Sequence, residues 1–163
     1  MSPCWRNLAA ATALVVMAAG SASAFAADEP ANVVKYRQTF MKGNSAHLGM
    51  IAAIMKGEVS LTGEIALNAA ALAEMGEMLS ANLQQLFPGG TAMGGDIGVE
   101  THALPAIWEK WGDFEQVAMR FQEETAKLAE VAEGGDMAAI GQQLGVVGKE
   151  GCGACHETFR EKD

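Results

Sequence analysis

Apolar residues recur along this chain at helical spacing, and no stretch alternates apolar with polar at the period of two that marks a strand. Asp28-Glu29-Pro30 sets acids at the positive end of a helix dipole and a proline in the first turn. A first helix is therefore predicted over about 31–56, stopped by Gly57. Val34, Arg37, Met41, Leu48 and Met55 fall on one stripe of it. Gly43 and Gly49 interrupt that helix and mark close packing or a kink. A second helix, opened by Ser60 or Thr62, carries Ile65, Leu72, Leu79 and Leu86 at heptad spacing. Ala69, Gly76 and Leu83 fill the alternate positions, which is the seam of a bundle. It ends before Phe87-Pro88-Gly89-Gly90, and the glycine-rich stretch to Ala103 reads as a long crossover connection. The third helix starts at Pro105, with Trp108, Trp111, Phe114, Ala118, Phe121 and Leu128 on one face and acids on the other. Gly134-Gly135 stop it, Asp136 caps the next, and a fourth helix is predicted from about Met137 to near Arg160. Four helices joined by short turns and one longer loop predict an all-α, antiparallel four-helix bundle.

The fourth helix carries the chemistry. Cys152-Gly153-Ala154-Cys155-His156 places two thiols and an imidazole at i, i+3 and i+4, one face of a helix. Two thiols at this spacing add across the two vinyl groups of a haem, and the adjacent imidazole then sits under the ring as an iron ligand. Three other chemistries fit worse. Zinc wants a second ligand pair, and only the distant His47 and His102 are on offer. A thioredoxin-like redox pair belongs where a strand enters a helix, and no strand is predicted. A disulfide between Cys152 and Cys155 closes a tiny, strained loop that removes little unfolded-state entropy. Covalent haem c is the cofactor expected, held in the bundle core. Gly141, Gly145, Gly148 and Cys152 recur at i, i+4, i+7 and i+11, so three glycines are expected in line with the Cys face, against a flat cofactor or a neighbouring helix.

The N-terminus changes the compartment. Arg6, the short apolar run Leu8–Ala19 and the small residues Ser21–Ala27 form a secretory signal, residues 1–26, with cleavage expected before Ala27 or, alternatively, before Phe25. The mature domain is then 27–163, exported to a bacterial periplasm with no membrane anchor. Of the three cysteines, Cys4 leaves with the signal, so no thiol is spare for a disulfide and stability must come from core and cofactor. The formal net charge of −9 becomes one unit more negative without Arg6. Such a surface repels nucleic acid and steers toward basic docking patches on redox partners. No catalytic base or nucleophile can be named, so the reading is a carrier and not an enzyme.

Three further stretches carry a resemblance. Tyr36-Arg37-Gln38 with Met41-Lys42, Pro105-Ala106-Ile107-Trp108, and Gly148-Lys149 leading into Cys152 through Arg160 make the chain similar, over essentially its whole mature length, to class II c-type cytochromes, the cytochrome c′ family and its low-spin relatives. The resemblance implies thioether bonds at Cys152 and Cys155, His156 as the proximal iron ligand, Arg160 near the proximal haem face and Arg37 against a haem propionate. It also implies a homodimer through the first two helices. Met41 stands where low-spin members place their second axial ligand, so a His156/Met41-ligated periplasmic electron carrier is the expected function. The alternative is a five-coordinate cytochrome c′ that binds nitric oxide or carbon monoxide.

Overall fold

The first predicted helix forms whole, and the other three form in pieces, broken at Asn82, at Lys110 and by a π-helical segment. In this computed structural model, which describes residues 29–162, α1 runs Pro30–Met55 and Gly57 takes φ +73° just past its end. The predicted signal, residues 1–26, lies outside the described residues. A 3-10 turn at Thr62–Glu64 leads into α2, Ile65–Ala81, and a short α3, Leu83–Leu86. Beyond the long connection come α4, Ala106–Glu109, and α5, Trp111–Glu133. Asp136 caps α6, Met137–Val146, by accepting from the amides of Ala138 and Ala139. A π-helical segment, Val147–Gly153, then passes into α7, Ala154–Phe159. Among the described residues there is no strand, only an isolated bridge between Ala103 and Arg160.

The second predicted helix is one seam in two pieces. Asn82 turns its amide back onto the carbonyl of Met78, and its backbone leaves helical geometry there. The heptad positions nonetheless all bury: Ile65, Ala69, Leu72, Gly76, Leu79, Leu83 and Leu86. α5 packs against α2 more extensively than any other pair of elements. Gly76 sets how close they come, because a Cβ there would lie 2.5 Å from Thr125 Oγ1 and 3.0 Å from Gln122 Cα. Thr125 cannot easily yield, since its hydroxyl donates within the preceding turn of α5 to the carbonyls of Phe121 and Gln122.

The buried face of α1 differs from the predicted stripe. It is Val34, Arg37, Phe40, Asn44, Ile51 and Ile54, with Met41, Leu48 and Met55 only partly buried beside it. On α5, Glu124 is buried although acids were expected to face solvent. Gln143 of α6 donates to its carboxylate at 2.7 Å, and Lys127 and Arg120 approach the other oxygen at 3.1 Å each. The Gln143 hydrogen bond, against the opposing cost of burial, holds the Glu124 carboxyl below its usual range.

The interior is divided. One apolar cluster gathers Phe40, Leu79, Leu86, Phe87, Phe114, Phe121 and Phe159; the other gathers Ile51, Ile65, Leu72, Leu128, Ile140 and Val147. Cys152 touches both clusters, and between them the bundle is hollow.

Candidate haem site

The π-helical segment delivers the Cys/His face. A π turn closes i to i+5, so Val147–Gly153 is wound wider than an α-helix and the α spacing of side chains lapses there. The glycine line expected from sequence dissolves for that reason. Gly141 faces Met55, and a Cβ on Gly145 or Gly148 would meet nothing within 4 Å. Gly151, outside the expected line, is the glycine at the cavity wall, where an added Cβ would lie 3.2 Å from the ring of Phe121. The α register resumes at Ala154, so only Cys155 and His156 lie in it; Cys152 sits in the last turn of the π segment, and all three nonetheless line one cavity.

That cavity, of about 250 Å³, lies between the Cys152–His156 face and α1, which contributes Met41, Asn44, Ser45 and Leu48. A second cavity of about 370 Å³ adjoins it, and Met41, Phe87, Phe114, Cys155 and His156 wall both. Phe114 anchors the shared wall. Its ring centroid lies 4.7 Å from Phe87, 5.2 Å from Phe159 and 5.6 Å from Trp111, mostly edge to face.

The mouth of the second cavity is basic. Arg37, Lys42 and Arg160 line it with His102, and no acid does, in a chain whose net charge is −9. Arg160 is fixed by main-chain pairing on either side: the Leu104 amide donates to the Phe159 carbonyl and the Glu161 amide to the His102 carbonyl. Arg37 has a role that sequence reasoning missed. It is buried, and its terminal nitrogens donate to the carbonyls of Leu86 and Thr91 and to the hydroxyls of Thr91 and Thr101, at 2.9–3.2 Å. Its carbon lies 4.6 Å from the centroid of Phe87. The four terminal N–H donors are thus spent on the connection between α3 and α4, and only Nε–H is left over for a carboxylate. Burial pushes its pKa down to about 10, so it stays charged at neutral pH.

The burial of both thiols suits haem attachment better than metal chelation by thiolates. Burial pushes the Cys155 thiol up to about 12, with the neighbouring Cys152 adding to it, and burial raises Cys152 as well. Burial first, and Arg160 second, lower His156, which favours the neutral imidazole that ligates a metal. His47 Nδ1 donates to Asn68 Oδ1 at 2.8 Å, and His102, at the mouth of the second cavity, pairs with Glu161 at 3.1 Å. Among the described residues no cluster of three or more His, Cys, Asp or Glu is placed to hold a metal ion. A hollow walled by aromatics, two thiols beside an imidazole, and a basic mouth for propionates fit a haem.

Comparison with known proteins places this geometry. The family model described as Cytochrome C′ matches residues 32–160. A cytochrome c′ from Pararhodospirillum photometricum is 36% identical over 133 residues, covering 81% of this chain and 98% of that protein. A solved cytochrome c′ with ligand-controlled dimer dissociation superposes with a TM-score of 0.74 at 28% identity, covering 84% of this chain and 100% of that one. The nitric oxide complex of a variant cytochrome c prime from Alcaligenes xylosoxidans superposes at 0.68 with 30% identity, covering 83% and 98%.

These matches speak against the expectation of a His156/Met41-ligated, low-spin electron carrier: the family model, the relative and the solved neighbours just described are cytochromes c′, one of them a nitric oxide complex, although relatives named cytochrome c-554 and cytochrome c-556 also match at 32–36% identity. The physical reason is that a thioether is also a filler of irregular core space, and Met41 is a partly buried wall of both cavities, packed on the aromatic cluster. With the fold, the attachment face and nearly the whole described length in agreement, the chain belongs to the cytochrome c′ family and carries one covalent haem c.

Proposed function

We propose that this protein is a five-coordinate cytochrome c′ that binds nitric oxide or carbon monoxide, exported to the periplasm through its 1–26 signal. The observation that carries the reading is the likeness to cytochromes c′, one of which is solved as a nitric oxide complex and superposes with a TM-score of 0.68 at 30% identity. When bound, the haem would supply an iron able to take a small diatomic ligand. Cys152 and Cys155 would hold the ring by thioether bonds, and His156, whose neutral form burial favours, would give its imidazole to the iron. Arg160 and Lys42 offer charge to the propionates, while Arg37 contributes its field and holds the connection that closes the same mouth. Phe87, Phe114 and Met41 keep water from the ring. These roles are binding roles, and no residue in the cavity is placed as a general base for turnover. The acidic surface suits a reductant with a basic patch.

α1 and α2 also leave Tyr36, Met50, Leu67 and Met78 exposed, which supports a homodimer through these helices. No helix among the described residues is long and apolar enough to cross a membrane.

The test uses the ferrous holoprotein. It is expected to bind carbon monoxide readily and to sediment as a dimer at micromolar concentration. Met41→Ala should keep the ligand-free spectrum of the wild type and change carbon monoxide association by no more than about tenfold, as expected for lost crowding alone. A ligand-free spectrum that Met41→Ala converts from low to high spin would contradict the reading, and a monomer throughout would remove the dimer.

A further inference from the structure

The step into the haem face is one residue longer than a helix needs. On α6 and at its end the inward residues are Ile140, Leu144 and Val147, spaced by four and three; beyond them they are Cys152, Cys155 and Phe159, spaced by three and four. Each set is an ordinary α seam. From Val147 to Cys152 the step is five residues where an α seam takes four, and the π winding over Val147–Gly153, which closes i to i+5, absorbs the difference. Two successive residues, Gly151 and Cys152, therefore line the cavity where an α turn presents one. Packing does not account for the surplus. A Cβ on Gly148 would meet nothing within 4 Å, and Lys149 pairs in solvent with its neighbour Glu150 at 3.6 Å. With one residue fewer, the seam would run as plain α-helix from Ile140 to Phe159, and a rare winding would give way to the common one.

The consequence of the surplus is local to the cavity. α7 is held at its far end, where the Phe159 carbonyl accepts from the Leu104 amide and the Phe159 ring lies 5.2 Å from Phe114. A change of winding ahead of α7 is then felt at its near end, from Cys152 to His156. We propose that the surplus residue of the π segment is a positioning device for the haem: it sets where the two cysteines and His156 meet the ring, and the fold does without it. The inference rests on the covalent haem and not on gas binding.

The test compares the wild-type holoprotein with a deletion of Gly148, with Gly148→Ala and with a deletion of Glu123. The Gly148 deletion is expected to carry covalent haem, keep its helical circular dichroism and melt cooperatively, because the seam falls back into α register. Its midpoint potential at neutral pH is expected to move by about 59 mV or more, a tenfold change in the one-electron equilibrium, since ligand geometry and burial set the potential. Gly148→Ala keeps the chain length and should match the wild type in fold and potential. Glu123 is an exposed residue of α5, which has no π turn, so deleting it should turn Leu128 and Ala132 off the face of Phe114, Ala118 and Phe121 and abolish the cooperative melt. A Gly148 deletion that unfolds or lacks haem means that the fold needs the residue, and one with an unchanged potential means that the residue is idle; either overturns the proposal. So does a Glu123 deletion that melts like the wild type, because the bundle would then be blind to register, or a Gly148→Ala variant that shifts the potential as far as the deletion does.

Discussion

Replacing Cys152 and Cys155 together by serine is expected to leave a chain that does not hold its bundle. The two apolar clusters meet across the hollow that Cys152 spans. An unfilled cavity of about 250 Å³, at roughly 24 cal/mol per Å³, costs about 6 kcal/mol. The net stability of a domain is only about 5–15 kcal/mol, and the adjoining cavity of about 370 Å³ adds to the loss. Intact mass of the exported wild type should equal the chain from Ala27 plus one haem, and the double variant should lack the haem and most of its helical circular dichroism. A double variant that melts cooperatively with full helicity would show that the clusters close on each other and that the cofactor is not structural.

Arg37→Met is expected to cost about 2–4 kcal/mol, because buried acceptors stripped of a charged donor lose ~1–3 kcal/mol each and relief of the guanidinium's own desolvation returns part of it. The acceptors released are those of Leu86, Thr91 and Thr101, which join the end of α3 to the connection before α4. Loss should concentrate there. Amide exchange in residues 88–103 is expected to accelerate well before that of α5. Uniform acceleration across the molecule, or none, would mean that Arg37 serves the haem edge and not the connection.

The attachment triad was legible in the sequence because its chemistry is local. Two thiols and an imidazole five residues end to end need no partner elsewhere in the chain to be recognised. The α2 seam was legible for a related reason: Ile65, Leu72, Leu79 and Leu86 repeat a period that one helix dictates to itself. What escaped depends on a second element. Arg37 broke the apolar stripe of α1 because its partners lie 49 to 64 residues away, and only the fold brings Thr91 and Thr101 to it. Glu124 looked like a solvent-facing acid until Gln143 of α6 was laid against it. The π turns at Val147–Gly153 moved the glycines out of line because spacing arithmetic assumes 3.6 residues per turn throughout. Met41 escaped differently. Its position on the cavity wall was found, but a thioether that packs and one that ligates iron are written with the same residue, so spacing alone does not separate them.

The central claim is that His156 would be the one protein ligand of the haem iron, and that Met41, on the α1 wall of the same cavity, would pack without ligating it. Electron paramagnetic resonance of the ferric holoprotein at neutral pH tests it most directly. The account predicts a high-spin ferric signal in wild type, unaltered in Met41→Ala; a low-spin signal in wild type that Met41→Ala abolishes would contradict it.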